Sequence, residues 1–343
     1  MNQTVTQPIL PLQWANDHLR ILDQRKLPAE IRWLEARDSD AVGEAIAGMA
    51  VRGAPAIGIA AAYGVCLAVR DYLAKDDEPG FEAALIRLAD ARPTAVNLHW
   101  AIDRMRQALV ESQEFEDLVA VAQRIAEQDR EMNRAMAALG AAKLLPGARV
   151  FTHCNTGSLA TGGFGTALGV IMQAAVEDKL ASVHFTETRP WQQGARLTAW
   201  ELSQAGVRGR LITEGAAGHV MRTAGIDWLI VGADRIAANG DVANKIGTYG
   251  LARLAKAHGA KVMVVAPTST VDMSIQDGEE ITIENRPAGE ILAAAGMDEP
   301  PAGITVVNPA FDITPAECVD LLVTDRGVLE SPDKAAMKHV FRS

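Results

Sequence analysis

The spacing of apolar residues along the chain changes character twice. Residues 1 to about 36 hold short mixed runs, HLRILDQRKLP and EIRWLEA, bounded by prolines, which predict short strands in a small antiparallel sheet. From about Asp38 to Leu145, apolar positions recur every three or four residues through AVGEAIAGMA, FEAALIRLADA, AVNLHWAIDRMRQAL and DLVAVAQRIAEQDREMNRAMAAL, the period of helices that bury one face. After Pro146-Gly147 short apolar runs alternate with helical segments: ARVFTHC, ASVHFTE, GRLIT, DWLIVGAD, AKVMVVAP, GITVVNP and CVDLLVTD. Seven such strands with crossovers predict a mostly parallel, doubly wound, Rossmann-like sheet. The expected class is therefore α/β, with a small-sheet plus helical N-terminal domain over 1–145 and a Rossmann-like domain over 146–343.

The longest apolar run, Ala54 to Val69, has 16 residues and two internal glycines, too short to span a bilayer, and reads as a buried helix. A length of 343 residues with 48% hydrophobic and 22% charged content fits a soluble globular protein of one or two domains. The net charge of -10 opposes nonspecific attraction to nucleic-acid backbones, and neither nucleic acid nor membrane is an expected partner. A small anion held by a few converging arginines remains open. Cys66, Cys154 and Cys318 are widely spaced and odd in number, which suits neither a disulfide framework nor a four-ligand zinc site and points to a reducing cytoplasm. The first thirty residues show no basic start followed by an apolar core, so no signal peptide is expected. With no HxxxH, CxxC or paired acidic motif, a mechanism without metal or cofactor is expected.

The chemistry concentrates where strands end. In Arg149 to Gly169, RVFTHCNTGSLATGGFGTALG, a buried-strand pattern runs into Cys154 and then a glycine-rich turn opening a helix. Open α/β sheets bind ligands at the carboxyl ends of their strands, with helix amides aimed at any anion. A free cysteine is also a common inert core residue, so position alone leaves Cys154 open. His153 stands beside it on the strand, so the two side chains face opposite ways and form no simple dyad. Asp234 ends the apolar run WLIVGA, where partial desolvation would raise its pKa and suit it to proton transfer; pairing with Arg235 is the plainer alternative.

Asn244 and Lys245 follow a turn and read as opening the next helix, offering an amide and a cation beside Asp234. Arg52, Gly53 and Ala54, followed by Pro55, place an arginine at a probable helix start, an anion site in the making. Arg92 lies at a junction where Pro93 stops one helix and Thr94 caps the next. In TETRPWQQG, Glu187 and Arg189 read as a loop-shaping ion pair, and Gln193 as a donor to a sugar hydroxyl.

Taken in order, VRGAPAIG, THCNTGSLATGGFGTALG, ETRPWQQGARLTAWEL and GADRIAANGDVANKIGTYGLA give a chain that resembles, over essentially its whole length, the methylthioribose-1-phosphate isomerases of methionine salvage. That family is related to the alpha, beta and delta regulatory subunits of the eukaryotic translation initiation exchange factor and to archaeal ribose-1,5-bisphosphate isomerases. The resemblance implies a homodimer acting on a small sugar phosphate, with Cys154 and Asp234 as the catalytic pair in the second domain. It implies that Arg52, Gly53, Ala54, Arg92, Gln193, Asn244 and Lys245 hold the substrate. Two alternatives stay open: an isomerase of another sugar 1-phosphate, such as ribose 1,5-bisphosphate or 5-deoxyribose 1-phosphate, and a non-catalytic regulatory subunit.

Overall fold

Alternating burial folds the first strands into an antiparallel sheet: β1 (Leu12–Ala15), β2 (His18–Leu22) and β3 (Trp33–Ala36) pair in that order, with Leu12 opposite Ile21 and Leu19 opposite Ala36, all four buried. The computed structural model describes residues 9–93, 95–112 and 114–341. Five helices follow: α1 (Ser39–Ala47), α2 (Ala54–Lys75), α3 (Glu78–Asp90), α4 (Val96–Glu111) and α5 (Phe115–Ala141). Asp38 caps α1 by accepting from Ala41 N–H at 2.8 Å, and Asp77 caps α3 by accepting from Gly80 N–H at 3.1 Å. Thr94, expected to cap α4, lies outside the described residues; Ala95 stands at that cap without a side-chain bond.

Helix α2 is apolar on every side, and residues 56–69 are all buried, so it forms the axis of the helical layer. By length and composition it is able to cross a membrane, yet most of its apolar stretch is already covered by protein. Gly58 of α2 comes so close to Asn97 of α4 that an added Cβ would lie 2.8 Å from the Asn97 carbonyl oxygen.

Two compact units divide the chain. One holds residues 9–133 together with 157–165; the other holds 134–156 and 166–341, so the boundary falls inside α5. The change of apolar period at Pro146 marks instead where helices give way to the strands of the second unit.

In that second unit come β4 (Ala148–Thr152), α6 (Ala167–Val176), β5 (Leu180–Thr186), α7 (Ala199–Gln204), β6 (Gly209–Ile212), α8 (Ala217–Ala224), β7 (Trp228–Val231), β8 (Arg235–Ala237) and β9 (Val242–Lys245). They are followed by α9 (Thr248–Ala257), β10 (Lys261–Val265), β11 (Val271–Asp272), α10 (Gly289–Leu292), β12 (Phe311–Thr314), β13 (Leu321–Thr324), β14 (Gly327–Glu330) and α11 (Lys334–Phe341). Seven strands form the main sheet in the order β14-β13-β10-β7-β4-β5-β6, all parallel except β14. The chain starts at β4, steps outward through β5 and β6, then returns to β7 on the other side, so the strand order reverses between β4 and β7. In such sheets that reversal opens the ligand crevice.

The α/β class is as expected from the sequence, with two differences in detail. GITVVNP is irregular apart from a single bridge at Pro309, because Ile304 (59% exposed) and Val307 (74%) have no sheet face to cover them. The seventh strand is β14, which returns antiparallel from β13. A second sheet, β11-β8-β9-β12, was not legible because its strands have only two to four residues.

In the first unit, Gly53 has φ +89, and an added Cβ would lie 2.2 Å from the Ala160 carbonyl oxygen. Gly53→Ala therefore costs at least about 2 kcal/mol through backbone strain and overlap, lowering the thermal midpoint of the purified chain by roughly 4 °C or more. An unchanged midpoint would show that residue 53 does not hold this conformation.

Candidate active site

Cys154 lies two residues beyond β4 and Asp234 three beyond β7, and these strands are adjacent and parallel, with Thr152 in register with Ile230. The thiol and the carboxyl therefore leave the sheet at the same edge, one from each strand flanking the reversal of order.

Cys154 has φ 68, a left-handed conformation uncommon for a residue with a side chain. The strand thus ends before it, and the sequence argument from strand alternation does not apply to the His153-Cys154 pair. Neighbouring side chains fasten its backbone: its N–H donates to Thr188 Oγ1 at 3.0 Å, and its carbonyl accepts from Thr198 Oγ1 at 2.7 Å. The half-buried Sγ accepts from Gln193 Nε2 at 3.3 Å. Gln193 is 2% exposed, and its buried Oε1 has no hydrogen-bond partner among the described residues. One N–H of the amide expected to donate to a sugar thus donates to the cysteine, and the amide keeps its second N–H together with the unpartnered Oε1.

Gln193 leads into a single π-helical turn, Gly194–Thr198, ahead of α7. An added Cβ at Gly194 would lie 1.9 Å from the Thr186 carbonyl oxygen, so only glycine lets this turn close on β5. Asn155 Nδ2 donates to Glu201 Oε1 at 2.7 Å, tying the residue after the cysteine to α7. Arg189 donates to the carbonyls of Pro190 and Ile291, both at 2.9 Å, in place of the ion pair with Glu187 read from sequence.

His153 is fully buried between Thr186 Oγ1, 2.6 Å from Nδ1, and the Ile246 carbonyl, 2.9 Å from Nε2. Burial pushes its pKa down to about 4.

Asp234 is exposed, so the desolvation expected at its strand end is not provided by the surrounding protein. Its N–H donates to the Ala243 carbonyl at 2.9 Å, which ties it to β9. Arg235 donates to Asp272 at 2.8 Å, so this arginine is engaged across β8 and β11. Asn244 and Lys245 end β9 instead of opening a helix, because β12 pairs with both of them, while β8 pairs with Val242 and Ala243 just before. Asn244 is buried, with Nδ2 donating to Thr248 Oγ1 at 3.0 Å; Lys245 Nζ donates to the Ala310 carbonyl at 2.9 Å and lies 4.4 Å from the Phe311 ring centre. At the start of α9, Asp312 accepts from Gly247 and Tyr249 N–H groups at 2.7 and 3.1 Å, so this helix end already holds an anion.

In the first unit, Arg52, Gly53 and Ala54 enter α2, whose first turn has a proline and no side-chain cap. Arg92 is half-buried in the turn before α4, and the Gly58–Asn97 approach brings that turn to the same end of the helical layer as Arg52. Within the same unit the glycine-rich loop 157–165 is held from three sides: Gln24 Nε2 donates to the Leu159 carbonyl at 2.7 Å, Asp129 accepts from Gly162 N–H at 2.7 Å, and Arg130 donates to the Gly162 carbonyl at 3.3 Å. Burial pushes Asp129 up to about 6. Sequence reasoning missed Asp129 and Thr198, and it placed Thr186 and Thr188 in a strand end dense in hydrogen-bonding groups without seeing that their hydroxyls reach His153 and Cys154. Of these threonines only Thr186 lies in a strand, where threonine is ordinary, and Thr188 and Thr198 lie in the loop and the helical turn that follow. Among the described residues no cluster of His, Cys, Asp and Glu could hold a metal ion.

A doubly wound sheet with a thiol and a carboxyl at the mouth of its switch point describes a small-molecule enzyme built on this fold. The chain belongs to the initiation factor 2 subunit family, whose model it matches over residues 50–331. It is 54% identical over 340 residues to a methylthioribose-1-phosphate isomerase of Xanthomonas axonopodis pv. citri, covering 98% of this chain and 96% of that protein. Among solved structures it is similar to the 5-methylthioribose 1-phosphate isomerase of Pyrococcus horikoshii, with a TM-score of 0.90 and 40% identity over 99% of this chain and 98% of the other. A structure described as translation initiation factor eIF-2B subunit delta from A. fulgidus matches with a TM-score of 0.85 and 38% identity over 97% and 99% of the two chains.

His153 links this site to stability. A histidine ordinarily titrates at 6.5 and is held near 4 here, so its contribution is complete above pH 6.5 and is lost as pH falls toward 4. At roughly 1.4 kcal/mol per pH unit, wild-type protein should lose about 3 kcal/mol more than His153→Gln between pH 7 and pH 4 in urea titrations. Equal losses would mean that the folded histidine titrates normally.

Proposed function

We propose that this chain converts 5-methylthio-α-D-ribose 1-phosphate to 5-methylthio-D-ribulose 1-phosphate without a cofactor. The observation that carries the reading is the placement of Cys154 and Asp234 at the mouths of adjacent parallel strands on either side of the switch point. The names and full-length identity of the relatives support the substrate.

The phosphate ester on C1 prevents the ring from opening spontaneously to a free aldehyde. Asp234, protonated when a bound sugar excludes water from it, donates to the ring oxygen as the C1–O bond breaks. Hydrogen then moves from C2 to C1, the C2 hydroxyl loses its proton, and a ketone forms at C2, so the product is an isomer of the substrate. Cys154 serves C2, either by removing its proton to give an enol or by flanking a direct hydride path. Washout or retention of a C2 deuterium label separates the two. Gln193 Oε1 accepts from a sugar hydroxyl. Arg52, Arg92 and the amides at Gly53 and Ala54 grip the phosphate, and Asn244 and Lys245 complete the substrate contacts. The same reading carries a homodimer and a reducing cytoplasmic setting, with Cys66, Cys154 and Cys318 all free thiols.

With methylthioribose 1-phosphate as substrate and ketose formation as readout, Asp234→Asn should fold normally and lose at least about a hundredfold in turnover. Turnover within about threefold of wild type would remove Asp234 from the reaction. Binding of the sugar phosphate by wild-type protein without any conversion would favour the regulatory reading. Faster conversion of ribose 1,5-bisphosphate would reassign the substrate.

A further inference from the structure

The carbonyl of Ile246 can only accept a hydrogen bond, so His153 must carry its proton on Nε2. Burial keeps the ring neutral, which leaves Nδ1 as an acceptor. Thr186 Oγ1 therefore donates to Nδ1 across 2.6 Å. Its own lone pair accepts from Thr188 Oγ1 at 2.9 Å, the nearer of the two acceptors that hydroxyl reaches, the other being the Thr186 carbonyl at 3.4 Å, and Thr188 Oγ1 in turn accepts from the N–H of Cys154 at 3.0 Å. The two fixed ends, an amide that can only donate and a carbonyl that can only accept, set one direction for every proton in between: Cys154 N–H to Thr188, Thr188 to Thr186, Thr186 to His153, His153 to Ile246.

We propose that His153 is a positioning residue which, as the neutral Nε2–H tautomer, closes this one-way chain and so holds Cys154 in its left-handed conformation in register with the end of β9. The inference rests on the assignment of Cys154 as catalytic. Its geometry spans three strand ends: Cys154 after β4, Thr186 and Thr188 at the end of β5, and Ile246 directly after Lys245 of β9. Thr188 is itself pinned, with φ 62 and its N–H donating to Glu214 Oε1 at 2.6 Å. An added Cβ at Gly247 would lie 3.3 Å from the imidazole, so the ring also packs against the turn into α9. The charged groups facing this assembly are Glu214 through Thr188, Lys245 ahead of Ile246, and Asp312, which binds Gly247 N–H. Reversing any member of the chain would set two donors or two acceptors against each other.

The test has two arms on the full-length protein. In long-range proton–nitrogen spectra of protein with labelled histidine, assigned by the signal missing from His153→Gln, His153 should show a bare Nδ1 and a protonated Nε2 that do not change between pH 5.5 and 8. A protonated Nδ1, or titration within that range, would overturn the proposal. In the second arm, Thr188→Val removes the relaying hydroxyl with little change of shape, while Thr188→Ser keeps it. The valine variant should lose at least about tenfold in kcat with KM nearly unchanged, and the serine variant should stay within about threefold of wild type. A valine variant with wild-type kcat would also overturn it. The spectra need no substrate, so they decide the inference even if the sugar phosphate is not turned over, an outcome that would count against the function alone.

Discussion

The left-handed backbone at Cys154 is the constraint on which the rest of the site depends. A residue with a side chain in this conformation costs of order 1 kcal/mol or more and persists only where its surroundings over-determine it. Here they do so: one hydroxyl takes the N–H, another supplies the carbonyl, and an amide reaches the sulfur. Because the chain turns at this residue, His153 stays within the protein and the thiol is half-buried at the strand mouth. The threonines, the π-helical turn and Gly194, which admits no Cβ, all serve to bring α7 and the end of β5 onto that one residue.

A second consequence concerns anions. The amides opening α9 are closed by Asp312, and those opening α6 include Leu168 N–H, which donates to Thr156 Oγ1 at 3.1 Å. The first turn of α2 has no side-chain cap, and with Arg52 just before it this helix start matches an anionic ligand by its own chemistry. Lys245, by contrast, is fixed by a carbonyl and an aromatic face, which holds its charge in one place.

Much of this was legible in the sequence, for identifiable reasons. Apolar runs such as VFT, WLIV and VMVV are buried on both faces, so they announce parallel strands, and the chemistry at their ends could be located by counting. The small second sheet escaped because two- to four-residue strands carry no period, and with it escaped the true setting of Asn244 and Lys245. GITVVNP misled because β-branched residues mimic a strand wherever they occur, while only burial makes one. The bond from Gln193 to the sulfur of Cys154 was not legible, since which groups an amide meets depends on how the turn before α7 closes. The exposure of Asp234 was likewise invisible, because a strand end can be covered or open with the same residues.

The family joins proteins named as isomerases and proteins named as initiation-factor subunits on one fold, so fold similarity alone does not separate turnover from binding. What separates them here is whether one sugar meets both the thiol and the carboxyl. A crystal structure of the complete chain with the ketose phosphate product bound answers this directly. The account predicts Asp234 within hydrogen-bond reach, roughly 3 Å, of the former ring oxygen, with Cys154 Sγ beside C2 of the same molecule. A product bound elsewhere, or one touching only one of the two side chains, would contradict it.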